Sequence, residues 1–439
     1  GDSIVLGARW PAVKFAWFNT IMMAVGAIMT NVMIFAGKAD VMFTAYPPLK
    51  ADPFFYLGII LFAVGALLYS FHFLIALGMA KKEGWQQGSL PLFTFGLVTA
   101  AIIAIFTLLM GATAYVPVFF WSMGWIDYVD PEFYRIAFWG FGHSAQQINL
   151  AAMVSIWYLL AHLTTGAVPV NQKMCRLAFL FYLLGINLGS IHHILVDPGL
   201  SSTYRIFNTA YLFYLAVIGS LIHAFSIPSA IELAQRKKGL TNGLFEWLIK
   251  APWGNPGFSG MFLSLVIFGF GGGVTGIILS VEQLNMLSHN NLRVPGHFHM
   301  TVVGGTTLAF MALTYYVIPL VFQRKLIGET FAKYQPWIFA IGVSTFATGM
   351  HFAGVMGAPR RHWDVSLKNA IFQVPFDAAM NTMLALVGIG AIIAFTGLLI
   401  FILIAVLSVF FGKKTAPKMQ EHFPPYEPAG AAVARPARA

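Results

Sequence analysis

Val294-Pro-Gly-His297-Phe-His299-Met300 opens an apolar run that continues to residue 322, and the reading of that run decides the fold. It is long enough to cross a bilayer, for which about 20 apolar residues suffice. Neighbouring helical residues are turned by about 100°, so His297 and His299 point to roughly opposite sides and do not share one metal. One helix wall then serves two metal centres, and imidazole is the usual protein ligand of heme iron. Two histidines making ordinary hydrogen bonds at a helix entrance are the competing reading, and the other histidines weigh between the two.

The surrounding chain has the composition of a membrane protein. Of 439 residues, 58% are hydrophobic and only 10% charged, with a mean hydropathy of +0.74, which excludes a soluble globular protein. Apolar segments over 14–36, 54–80, 90–119, 132–164, 174–196, 204–234, 258–283, 296–322, 335–357 and 377–411 predict ten spans. The expected fold is therefore an all-α polytopic bundle of about ten helices. The first segment is too long for a signal peptide and lacks a small-residue cleavage site, so it reads as a retained span. A single transmembrane unit is expected over 1–412, followed by a flexible cytoplasmic tail over 413–439, rich in Pro and Ala.

A net charge of +10 suggests nucleic-acid binding only until the basic residues are placed. Lys81, Lys82, Lys173, Arg176, Arg236, Lys237, Lys238, Arg324, Lys325, Lys333, Lys413 and Lys414 follow even-numbered segments, and Arg9 and Lys14 precede the first. The positive-inside rule then puts both termini in the cytoplasm, and nucleic acid is not an expected partner. Arg360 and Arg361 break the pattern on the outer side. The single cysteine, Cys175, excludes an internal disulfide, an iron–sulfur cluster or a copper–thiolate pair within the chain.

Polar residues at membrane depth are costly and generally turn toward function or a partner. The fourth segment carries Trp139-Gly-Phe-Gly-His143-Ser-Ala-Gln146-Gln147, with His143 and Gln147 four apart on one face. The fifth ends in His192-His193, whose imidazoles can converge on one ion with His143 as a third. The charge-based topology puts all five of these histidines in the outer half of the membrane. His72 reads as structural; His223 fits either packing or a proton path. Arg360 and Arg361 suit carboxylates, which guanidinium grips with two hydrogen bonds.

Gly142-His143, His192-His193 and Val294-Pro-Gly-His297-Phe-His299, in this order on successive spans, resemble the catalytic subunit of the heme-copper oxidase superfamily. Met174-Cys-Arg-Leu-Ala-Phe, Asp197-Pro-Gly199, Gly243-Leu-Phe-Glu-Trp247, His289-Asn290 and Pro359-Arg-Arg361 resemble its B-type branch. The resemblance implies His297 on a high-spin heme and His299 on a low-spin heme. It also implies copper or non-heme iron on His143, His192 and His193. Arg360 and Arg361 match its propionate-binding pair, and His289 the outer position near the propionates. It further implies an electron donor at the outer face: cytochrome c, a cupredoxin or a copper-domain subunit. The location expected is a bacterial or archaeal cytoplasmic membrane, with lipid as surrounding partner.

Two departures shape the functional expectation. The first segment aligns with the family's third helix, so the helix supplying the second low-spin heme histidine is absent, and a further chain or a truncation accounts for it. The N-terminal Gly fits a removed initiator Met and thus a split subunit. The second departure is Gln147, where oxygen-reducing A- and B-type relatives carry a cross-linked tyrosine. C-type members place theirs at the position of Ile186; Tyr182, one turn away, is a poor substitute. Coupling two NO molecules needs two electrons, against four for O2. A carboxamide beside the metal pair suits the former, so reduction of NO to N2O is the favoured activity. Terminal reduction of O2 to water is the alternative, and a non-catalytic heme-binding relay subunit the second alternative.

Overall fold

The structure is a computed structural model and describes residues 11–82, 90–186, 189–361, 374 and 376–415. Arg9 and residues 416–439, most of the expected tail, lie outside the described residues. Helices follow the apolar runs because a backbone in hydrocarbon must satisfy its hydrogen bonds within its own segment. They are α1 (Val13–Phe35), α2 (Pro53–Lys82), α3 (Leu92–Ser122), α4 (Pro131–Thr165) and α5 (Gln172–Phe181). There follow α6 (Ser202–Lys237), α7 (Pro256–Ser280), α8 (Arg293–Val321), α9 (Glu329–Val355) and α10 (Ala378–Phe411). No strand occurs among the described residues.

Local chemistry sets the ends. Asp130 caps α4 by accepting from the Glu132 and Phe133 amides, with Pro131 at the first helical position. Asn255 and Pro256 repeat this at α7, and Asp377 accepts from the Met380 amide at α10. Gly166 closes α4 with φ 75°, a left-handed conformation that glycine adopts without strain.

Over the expected span 174–196 the described residues are helical in pieces. Nine helices among the described residues are long and apolar enough to cross a membrane, and residues 187–188, after the continuation of α5, lie outside the described residues. α5 runs 10 residues, widens into a π-helical turn over Tyr182–Ile186, and His192 and His193 stand on a separate 3-10 turn, Ile191–His193. Side-chain amides replace the next helical turn as partners of this backbone. Asn208 Oδ1 accepts from the Ile191 amide at 3.2 Å, and Asn285 Nδ2 donates to the His192 carbonyl at 2.7 Å. The pair is thereby turned inward instead of following a helix axis.

One end of the bundle gathers the loops holding Tyr46, Asp197, His289 and Arg360, with Tyr134 Oη donating to the Thr44 carbonyl and the Arg360 amide to the Asn290 carbonyl. The opposite end carries the basic loops, where Lys238 Nζ reaches the Thr165 carbonyl. There the Lys325 amide donates to the Lys413 carbonyl and the Thr415 amide to the Gln323 carbonyl. The loop holding His289 and the turn holding His192 and His193 are thus at the end opposite the basic loops, as the charge pattern predicts.

α9 packs along α10 with almost no spacing, because Cβ atoms at Gly342 and Gly390 would run into the facing backbone at Ala394 and Phe346. Small residues let membrane helices meet at backbone distance, where van der Waals contact replaces the missing hydrophobic drive. Gly390→Leu is expected to cost about 1–3 kcal/mol through overpacking, read as a lower thermal unfolding midpoint in detergent. Gly388→Leu, where a Cβ meets nothing within 4 Å, should leave the midpoint near that of the parent protein.

Candidate metal and heme site

α4, α6, α7 and α8 and the 190s turn enclose a cavity of about 550 Å³. His143, Gln147, His192, His193 and His297 line it, and His289, Asn290 and Arg360 lie along its outer part. His143, His192 and His193 each offer a ring nitrogen within 4.8 Å of the others. His143 Nδ1 and His193 Nε2 are 3.1 Å apart, and the His143 and His192 rings meet edge to face at 4.4 Å. Three imidazoles converging on one point suit copper, zinc or iron.

His143, His192, His297 and His299 are oriented through their second nitrogen, the arrangement that fixes which nitrogen keeps a free lone pair. His192 Nδ1 donates to the Gly189 carbonyl at 3.0 Å, leaving Nε2 for the site. Thr275 Oγ1 donates to the Gly271 carbonyl at 2.6 Å, so it accepts from His297 Nδ1 at 3.0 Å, and His297 Nε2 is free. Gly276 makes room for that ring: a Cβ there would stand 2.9 Å from His297 Cε1. His299 Nδ1 donates to the Pro295 carbonyl at 2.7 Å, again freeing Nε2. His299 does not line the cavity; it packs against Phe298 and Phe346. The two α8 histidines face different sides, as helical spacing requires.

Gln147 meets the far nitrogen of His143, with its side-chain amide 3.1 Å from Nε2. Its other amide atom is buried without a partner. If His143 offers Nδ1 to a metal, its proton is on Nε2, and the amide atom facing it is the carbonyl oxygen. Amide oxygen and nitrogen are exchangeable assignments that the network decides. Gln147 thus fits the hydrogen-bonding half of its expected role, holding His143.

The outer rim suits carboxylates. Arg360 Nε and Arg361 Nε and Nη2 are buried without partners, a costly state that an anion relieves. Burial, then the neighbouring Arg361 charge, push Arg360 down to about 10, so it is charged at neutral pH. Burial, then Arg360, hold His289 below the ordinary histidine value, leaving it neutral and able to donate. A heme between His297 and this rim fits these groups, and His299 keeps a free Nε2 outside the cavity. Among the described residues, no further histidine ring contacts His299.

Other expectations resolve simply. His72 Nε2 donates to the Pro11 carbonyl at 2.7 Å, and His72 does not line the cavity. His223 is bonded to the Tyr158 hydroxyl at 2.9 Å, and that hydroxyl to Cys175 Sγ at 3.2 Å. Tyr182 lines the cavity and pairs with Ser220 at 3.1 Å. Sequence reasoning missed Thr275, Asn285 and Tyr46. The signal for Thr275 was a hydroxyl within the glycine-rich stretch of an apolar span; Asn285 and Tyr46 carried none.

Comparisons with known proteins agree with this geometry. Residues 3–395 match the family described as Cytochrome C and Quinol oxidase polypeptide I. The chain is 30% identical over 421 residues to cytochrome c oxidase subunit 1 of Thermus thermophilus, covering 94% of this chain and 72% of that one. It is 23% identical to quinol oxidase subunit 1 of Bacillus spizizenii, covering 81% of this chain and about half, 54%, of that one. A heme-copper terminal oxidase dimer solved by cryo-EM superposes with a TM-score of 0.87 at 26% identity, covering 95% of this chain and 73% of that one.

His193→Ala or His143→Ala is expected to remove the non-heme metal, read by metal analysis, while His72→Ala keeps it. Gln147→Leu should weaken metal retention about 10-fold or more, the usual effect of losing a partner that orients a ligand, and Gln147→Glu should restore most of it.

Proposed function

This chain belongs to the cytochrome c and quinol oxidase polypeptide I family, and from that premise we propose that it forms the catalytic core of a terminal oxidase reducing O2 to water. The observation that carries the reading is the convergence of His143, His192 and His193 across one cavity from His297. When bound, a high-spin heme at His297 and a copper at the three imidazoles would supply electrons and binding positions for a diatomic molecule. The relatives bearing this pattern are named as cytochrome c and quinol oxidases, which moves the reading away from NO reduction.

The chain's own residues orient and exclude water. Gly189, Thr275, Pro295 and Gln147 fix the second nitrogen of His192, His297, His299 and His143, so the geometry of these ligands is set before any metal arrives. Arg360, Arg361 and His289 would seat the propionates at the outer end. The apolar lining from Leu150, Val154, Phe268 and Leu265 keeps bulk water from the reacting diatomic. Electrons would arrive through a low-spin heme at His299, given by cytochrome c, a quinol or a copper-domain partner. We place the basic loops on the cytoplasmic side of a bacterial or archaeal membrane by the positive-inside rule, and treat 1–412 as the catalytic unit.

Reduction of NO to N2O is the second reading, because Gln147 stands at the position of the family's tyrosine. Its engagement with His143 weakens that case, since an amide committed to a ligand's far nitrogen is not an added metal ligand. Turnover of the purified complex with O2 and with NO separately, under reductant and with metal analysis, tests the proposal. Sustained O2 uptake to water with copper present is expected. Rapid N2O formation with negligible O2 uptake would replace it with the NO reading.

A further inference from the structure

The hydrogen bonds of Asn285 reach both walls of the cavity, and the proposed function leaves that span without a task. Asn285 is buried, lines the cavity and sits on a short helix, Glu282–Ser288, in the connection from α7 to α8. Its Nδ2 donates to the His192 carbonyl at 2.7 Å and to the Leu279 carbonyl at 2.6 Å. Both neighbours are acceptors, so the nitrogen of the amide, not its oxygen, faces them. Arg205 adds a second tie at the other end of the ligand-bearing turn. Its Nη2 donates to the Asp197 carbonyl at 2.8 Å, and its Nη1 lies 3.7 Å from the Glu282 carboxylate.

The two acceptors of Asn285 belong to different elements of the site. The His192 carbonyl is part of the peptide group that joins His192 to His193. A peptide group turns as one plane, so tilting it changes ψ of His192 and φ of His193 together and moves both imidazoles. The Leu279 carbonyl is in the last turn of α7, where no following turn supplies an amide. Leu279 comes one helical turn after Thr275, and the Thr275 hydroxyl accepts the His297 Nδ1–H. A primary amide carries two N–H hydrogens in one plane, one for each carbonyl. Leu has the same branched outline and no donor; a carboxylic acid offers at most one. Without the amide, two carbonyls at the cavity wall lose their donor, a costly state that each relieves by turning away.

We propose that Asn285 is a positioning residue that joins the His192–His193 pair to the α7 wall supporting His297, so that one side chain sets how the copper ligands and the heme ligand face each other. The inference rests on the proposed reading of the three imidazoles as a copper site and of His297 as a heme ligand.

Two readouts on the purified, heme-loaded complex test it. One is copper affinity, measured by competition with a soluble chelator. The other is the iron–histidine stretching band in resonance Raman spectra of the reduced complex after copper has been stripped from it. Asn285→Leu is expected to weaken copper affinity 10-fold or more, in the range typical of residues that orient a ligand. It should also shift the iron–histidine band relative to the parent complex, both free of copper, because the same amide holds the last turn of α7. A role confined to supporting the fold would lower the unfolding midpoint and leave that band in place. Unchanged copper affinity, or an unshifted band, in Asn285→Leu overturns the coupling. If Asn285→Leu does not assemble, Asn285→Asp, of nearly equal size, decides by the same two readouts. Copper lost in His193→Ala and the band lost in His297→Ala, with the Asn285 variant equal to the parent, remove only this inference. Copper retained in His193→Ala, or the band retained in His297→Ala, removes the site reading itself.

Discussion

Everything in this molecule depends on holding neutral imidazoles at fixed orientation in a medium without water. An imidazole ligates through one nitrogen only if the other keeps the proton, and a buried N–H without a partner costs free energy. His192, His297, His299 and His143 each meet this with a different acceptor. His192 uses the Gly189 carbonyl, His297 the Thr275 hydroxyl and His299 the Pro295 carbonyl. His143 uses the Gln147 amide. The acceptors are near in sequence for His143, His192 and His299, but Thr275 comes from another helix. His297 is therefore set by the packing of α7 against α8.

That packing is irregular where it matters. π-Helical turns occupy Tyr182–Ile186, Phe207–Phe213, Ile267–Gly272 and His299–Thr307, all contributing residues to the cavity. Such turns are rare and cluster at functional sites, because a wider turn displaces side chains and leaves room beside the axis. Here they open space on the walls of α6, α7 and α8 without breaking backbone hydrogen bonding, which no lipid molecule could replace. The 3-10 turn carrying His192 and His193 answers the same constraint with Asn208 and Asn285 as partners.

The outer rim balances the opposite problem, buried positive charge. Arg135 is answered by Asp197, whereas Arg360 and Arg361 keep N–H groups without partners. A buried charge left without a counterpart is unfavourable by several kcal/mol, so the rim is built for acidic groups that the described residues do not provide. Tyr46 stands between the satisfied and the unsatisfied arginines, and its hydroxyl accepts from Trp139, whose indole lies on His193.

The sequence by itself determined the membrane-spanning helical architecture, since hydropathy and length act locally, and the end of the bundle where the histidines gather, since loop charge does too. It also determined that His297 and His299 serve different sides, a consequence of the turn per residue. It did not reveal the 3-10 turn at Ile191–His193, because a hydropathy run does not show that Asn208 and Asn285 will take over the backbone near His192. The weight placed on Gln147 favoured NO reduction, whereas its nearest partner is the far nitrogen of His143 and the relatives are oxidases. Only the tertiary structure decided the ligand nitrogens, the Thr275 support and the Tyr46 to Trp139 contact, which joins residues 93 apart in sequence. Those depend on distances between separate helices, and no local property of a chain encodes them.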